Sequence, residues 1–221
     1  MKLNKLITKL LKEENVVAVS LTSRRVYLSK PSVKELAASY EHVVIGRVRP
    51  FFLYPVGCSP HFKAEGGYAT AQHCVGISKK HGDRVILNDG TAATILIANP
   101  WKPVNPLLMC FGYVPINRDV AYLDVGNDRY ENPVAVLSGG TIPPGYTFFE
   151  PIVGEPSAVI GKKLCGISLD YDTQQFFKGE WKVTDYTIVK YVIKNKIYLF
   201  KQLLAVGHSK PGFSGTNAHP C

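Results

Sequence analysis

At 221 residues with 46% hydrophobic content, the chain is long enough to bury a substantial core and suits one large domain or two small ones. Its 26 Lys and Arg against 17 Asp and Glu give a net charge of +9, but beyond the first dozen residues the charges are scattered, with no regular interleaving of basic and aromatic residues, which counts against a nucleic-acid partner. No apolar run reaches the roughly 18 to 20 residues of a membrane span, and lysines interrupt the apolar positions near the N-terminus as no secretory signal would allow; the expectation is a soluble, cytoplasmic chain.

In chain order, Leu3, Leu6, Ile7, Leu10 and Leu11 recur at helical spacing, with Lys2, Lys5, Lys9 and Lys12 between them. This predicts a short basic amphipathic helix within Met1 to Glu14, packed on the domain rather than lying on a membrane. Val16 to Leu21 and Arg25 to Ser29 are β-branched, alternating runs across a polar turn, and read as strands or a hairpin. Ser32 followed by Glu35 makes a capping-box pattern for a short helix, and His42 to Val48 reads as a further strand. Residues 1–50 are therefore expected to form a small α+β segment.

From Pro50 onward the texture changes to short strands punctuated by Gly, Pro, Asn and Asp. Expected strands are Gly67 to Ala71, Arg84 to Asn88, Thr91 to Ala98, Leu107 to Tyr113, Val120 to Val125, Val134 to Leu137, Phe148 to Val153, Leu164 to Leu169, Lys182 to Ile193 and Ile197 to Val206. Few connections are long enough for crossover helices, so antiparallel barrels or a sandwich are favoured over a parallel sheet. Gly139 to Gly145 can join two halves, giving expected units of 51–138 and 139–221.

The chemistry is concentrated at three places. His73 follows an apolar strand directly, where its ring can be presented at a strand end. Asp119 begins a second apolar strand and can be held partly buried against that ring. Ser214 sits in Gly212-Phe213-Ser214-Gly215, whose glycines tolerate a tight turn with inward-pointing N–H groups. A serine hydroxyl is a poor nucleophile at neutral pH; an imidazole must accept its proton, and a carboxylate must hold that imidazole in the right tautomer. Asp124 and Asp128 compete for the acid role, but neither opens the apolar strand as Asp119 does.

Thr70-Ala71-Gln72-His73-Cys74, Asp119-Val120-Ala121-Tyr122-Leu123 and Pro211-Gly212-Phe213-Ser214-Gly215 resemble, in order and spacing, the three motifs of chymotrypsin-like serine proteases. Asn15-Val16-Val17-Ala18-Val19, Arg47-Val48-Arg49-Pro50 and the approach from Phe200 to Gly212 are similar to a prokaryotic branch of trypsin-like peptidases with an N-terminal α+β leader. The resemblance implies a mostly β fold of two antiparallel β-barrels, the first within 51–138 carrying His73 and Asp119 and the second within 139–221 carrying Ser214. It implies endopeptidase activity on a polypeptide substrate, with His73, Asp119 and Ser214 catalytic and the N–H groups of Gly212 and Ser214 as oxyanion hole. It places His208 at the base of the primary specificity pocket and pairs Cys58 with Cys74 in a disulfide. No cofactor and no metal are called for.

The sequence departs from that family at two points. Phe213 stands where an acidic residue usually precedes the nucleophile, and the chain runs only from Gly215 to Cys221 after the serine, so the second barrel is expected to be incomplete. The other reading of the same residues is a truncated or inactive protease-like binding module that uses the interbarrel cleft or the basic surface. Five cysteines make an odd count, so at least one is expected to be free, intermolecular or paired beyond this chain, and Cys221 could pair in a longer chain. A zinc site from Cys58, His61, His73 and Cys74 is disfavoured because adjacent side chains on a strand diverge.

Overall fold

The computed structural model describes residues 1–29, 41–44, 58, 63–64, 67–86, 92–124, 154–170, 175–209, 213–215 and 218–221. Asn4 opens α1 (Lys5–Lys12), its side chain accepting the Leu6 N–H, and Leu10 and Leu11 are buried on its inner face. β1 (Val16–Ser20) and β2 (Arg25–Leu28) pair antiparallel as the expected hairpin. β3 (Glu41–Val44) then joins β2 in parallel, and β4 (Lys63–Ala64) pairs with β5 (Gly67–Thr70). A single turn, α2 (Gln72–Val75), leads towards β6 (Arg84–Ile86) and β7 (Ala92–Ile97). After them come α3 (Pro106–Cys110), β8 (Ala121–Asp124), a 3₁₀ turn at Pro156–Val159, β9 (Lys163–Asp170), β10 (Gln175–Ile193), β11 (Lys196–Gly207) and β12 (His219–Pro220).

The strands form two sheets. One has the order β4-β5-β8-β7-β6 and is antiparallel throughout; Tyr68, Ala93, Ile95 and Leu123 fill its core. The other has the order β12-β9-β10-β1-β2-β3, with β11 also on β10. Trp181 and Lys182 pair with both β9 and β11, and Thr187 to Val189 pair with both β1 and β11. A strand has only two hydrogen-bonding edges, so β11 runs along one edge of β10 while β9 and then β1 share the other. The N-terminal hairpin is thereby built into the sheet that carries the last strands of the chain. Among the described residues neither sheet closes into a barrel, so what stands of the expected pair of barrels is a mostly β chain on two largely antiparallel sheets.

The strand expected over Leu107 to Tyr113 is instead the helix α3. The Asn105 side chain accepts the Leu107 N–H at 2.9 Å and Pro106 occupies the first helical position, a start signal that overrides the strand-like apolar run. The expected Ser32 helix, the strands Val134 to Leu137 and Phe148 to Val153, and the Gly139 to Gly145 connection lie outside the described residues.

A buried carboxylate ties the N-terminal hairpin to β10. Asp185, 1% exposed, accepts the hydroxyls of Ser20, Thr22 and Tyr27 at 2.8, 2.7 and 2.6 Å and that of Ser23 at 3.3 Å. Burial pushes its carboxyl up, but the Tyr27, Thr22 and Ser20 hydroxyls and the Tyr186 N–H outweigh it and hold the group below its ordinary value. The pairing of β10 with β11 shifts register between Val183 and Asp185, a bulge of the kind that re-aims a side chain.

Candidate active site

β5 is buried along its whole length and delivers the chain to α2. Gly67 is required there, because a Cβ would stand 1.9 Å from the Leu123 carbonyl of neighbouring β8. Gln72, fully buried, rivets the turn. Its amide donates to the Gly76 and Lys79 carbonyls at 2.8 and 3.2 Å, and its carbonyl accepts the Asn99 N–H at 2.7 Å. With Gln72 fixed inward, the next residue of the turn, His73, is presented to Asp119.

Asp119 arrives from the other side on a loop pinned to β11. Asn117 donates its backbone N–H to the Leu199 carbonyl at 2.8 Å, and its side chain bonds both Lys102 and Leu199. Two residues on, Asp119 accepts the His73 backbone N–H at 2.9 Å with one oxygen and meets His73 Nδ1 at 2.7 Å with the other. The two side chains are only 6% and 13% exposed. A carboxylate at Nδ1 keeps the ring proton there and leaves Nε2 as the acceptor. Trp101 stands beside the imidazole with ring centroids 6.4 Å apart, and is itself braced by Phe200 and Tyr198. Tyr191 is pushed up to about 12 by burial and secondarily by the charge of Asp119.

On the Nε2 side lies sulfur. Cys74 Sγ is 3.7 Å from His73 Nε2 and 3.8 Å from the Ser214 carbonyl oxygen. Cys74 is bonded to Cys58, so this sulfur carries no hydrogen and both approaches are contacts rather than hydrogen bonds. Cys58 in turn pairs with Ser214 as a parallel bridge. The disulfide therefore joins the histidine turn to the serine segment, with one sulfur between the imidazole and the Ser214 backbone. Ser214 is half-buried, and Gly215 after it takes φ +84°, the left-handed region a glycine accepts at little cost.

Phe213 has a role that sequence reasoning missed. Its ring meets Phe177 and Trp181 edge-on at 5.6 and 5.5 Å, geometry favourable to aromatic pairs. Gly179 makes the room: a Cβ there would stand 2.3 Å from the Trp181 ring and 2.9 Å from Phe213. The Trp181 N–H donates to Ser209 Oγ at 2.8 Å. Phe213 thus seats the serine segment on β10, and the readable signal was the two aromatic residues around a glycine in Phe177 to Trp181.

The other candidates divide. Cys58 and Cys74 form the expected disulfide. His208 is exposed just past β11. Gly212, His61 and Asp128 lie outside the described residues, while Asp124 sits in β8 opposite Gly67 and Thr94. Cys221 is bonded to Cys165 of the same chain, which leaves Cys110 as the free thiol that the odd count requires. Cys58, His73 and Cys74 are kept from a common ion for a reason other than diverging strand side chains. His73 and Cys74 lie on a helical turn, not a strand, and the three ligand atoms fall within 4.8 Å of one another; it is the disulfide that takes both thiolates a metal would need.

A cavity of about 560 Å³ opens beside Asp119, lined also by Arg118, Tyr186, Phe200, Lys201 and Gln202. Neither His73 nor Ser214 lines it among the described residues. No curated protein matches the chain. Residues 36–221 match the family described as "Putative filamentous viruses peptidase"; the match covers the segments of His73, Asp119 and Ser214 and leaves out Asn15 to Val19, on which the resemblance to a prokaryotic branch partly rested. The chain belongs to this filamentous-virus peptidase family.

Proposed function

We propose that the protein is a serine endopeptidase of chymotrypsin-like type, cleaving polypeptides through Ser214, His73 and Asp119. The observation that carries this reading is the carboxylate of Asp119 on His73 Nδ1 at 2.7 Å, with Nε2 facing the disulfide sulfur that also lies against the serine segment. In the proposed reaction Ser214 Oγ attacks the scissile carbonyl as His73 Nε2 takes its proton, and Asp119 stabilises the imidazolium. The N–H groups of Gly212 and Ser214 hold the oxyanion, a contribution of about 3 kcal/mol to the transition state for each donor. The imidazolium then protonates the leaving amine, and water, deprotonated by the same nitrogen, releases the acyl group from Ser214.

In this reading 51–138 is the unit that supplies base and acid, 139–221 the unit that supplies the nucleophile, and His208 faces the side chain that precedes the cleaved bond. Two disulfides weigh against a reducing compartment, intracellular proteins of hyperthermophiles being the exception. The test is hydrolysis of an unfolded polypeptide by the full chain with its disulfides intact. Cleavage that disappears in both Ser214→Ala and His73→Ala supports the mechanism; cleavage that survives either substitution undiminished removes it.

A further inference from the structure

α3 and the residue after it place a tight apolar cluster in water. Leu107, Leu108 and Phe111 are 73%, 52% and 70% exposed, whereas Met109 between them is 2% exposed and anchors the turn. Single exposed apolar residues are ordinary, but three large ones within five positions make a patch.

Beside this patch runs a stripe of positive charge. Lys5, Lys9 and Lys12 recur four and three residues apart on α1, on the face opposite buried Leu10 and Leu11, and all three are exposed. Lys2, ahead of the stripe, and Lys12, its last member, touch the segment that follows Met109. Lys2 Nζ lies over the Tyr113 ring, 5.5 Å from its centre, and Lys12 Nζ is 3.1 Å from Cys110 Sγ. Between these contacts the Leu3 N–H donates to the Gly112 carbonyl at 2.8 Å. Gly112 takes φ +82°, and a Cβ there would stand 2.7 Å from the Leu3 carbonyl, so the close approach of the two segments depends on this glycine.

We propose that this face, the α1 lysine stripe with Leu107, Leu108 and Phe111, docks the protein on the surface of an anionic lipid membrane. Lipid headgroup phosphates offer the negative charge that the lysines need, and the acyl boundary beneath offers the apolar layer that the three side chains need. A nucleic acid supplies phosphates but leaves Leu107, Leu108 and Phe111 in water. A second copy related by a two-fold axis sets one lysine stripe against another. Glu13 and Glu14 follow the stripe at the helix end, where their charge acts on Lys190.

The test is flotation of the full chain with vesicles of phosphatidylcholine alone and of phosphatidylcholine mixed with phosphatidylglycerol. Binding is expected only to the mixed vesicles. Leu107→Ser/Phe111→Ser and Lys5→Glu/Lys9→Glu should each weaken it roughly tenfold or more, with thermal midpoints close to that of the parent, since all four side chains are exposed. Absence of binding to mixed vesicles overturns the proposal. So does binding that the Leu107→Ser/Phe111→Ser variant leaves unchanged, or a preference for duplex DNA to which those two residues are indifferent.

Discussion

Asp119 serves His73 twice, accepting the backbone N–H and the ring Nδ1 with separate oxygens, and substitution separates the two services. Asn at this position retains an oxygen for the backbone N–H but lets its amide group face Nδ1, which favours the wrong tautomer. Asp119→Asn is expected to fold as the parent does and to react with a fluorophosphonate about 10⁴-fold more slowly, measured as the second-order rate of inactivation. Phe213→Ala tests positioning rather than chemistry. Without the ring on Phe177 and Trp181 the serine loses its seat, and a displacement on the order of 1 Å costs about 10²-fold in rate. The same fluorophosphonate rate should fall while the hydroxyl and its base remain; an unchanged rate would mean that the aromatic bracket plays no part in aiming Ser214. The segments of His73, Asp119 and Ser214 could be singled out in the sequence because each carries its motif in a few contiguous residues. Phe213 could be seen only as a departure, since its value lies in Phe177 and Trp181, more than thirty residues upstream in the numbering.

At the scale of elements, the hairpin of β1 and β2 is held to β10 by the Asp185 cluster. Asp185→Ala removes the shared acceptor and strands the buried hydroxyls of Ser20 and Tyr27. A loss of about 3 kcal/mol or more is expected in urea unfolding, because buried donors without partners retain their desolvation cost. The acid limb should change with it. A carboxyl held below its ordinary 3.8 when folded contributes stability that is fully present above that value and is lost as pH falls through the folded one. The parent should lose stability below about pH 4, and Asp185→Asn should show a flatter acid limb; equal slopes would contradict the account. Most strands were legible from β-branched alternation, including β1, β2, β5 and β7. α3 was not, because Leu107 to Tyr113 fits a buried strand as well as a short helix, and the deciding signal lay one step earlier in Asn105 and Pro106. The pairing of β1 with β10 had no local signature, since alternation shows that a strand has an inner face without naming its partner.

Across the whole molecule, the last residues are fastened twice: β12 pairs with β9, and Cys221 is bonded to Cys165 across a separation of 56 residues. Loop closure of that length is worth about 4 kcal/mol on the chain-entropy account. The double variant Cys165→Ala/Cys221→Ala is therefore expected to unfold at lower urea by about that amount while Cys58–Cys74 continues to hold Ser214 beside His73. If both stability and fluorophosphonate reactivity are unchanged, the C-terminal staple has no part in the architecture. This connectivity was beyond the sequence because an odd cysteine count leaves many pairings open, and only the fold brings Cys221 alongside β9.

The most direct test of the central claim is to treat the intact, disulfide-bonded chain with a fluorophosphonate and locate the adduct by peptide mass mapping. The account predicts one adduct, on Ser214, that is lost in His73→Ala. A folded protein that takes no label, or a label on another residue with Ser214 unmodified, would contradict it.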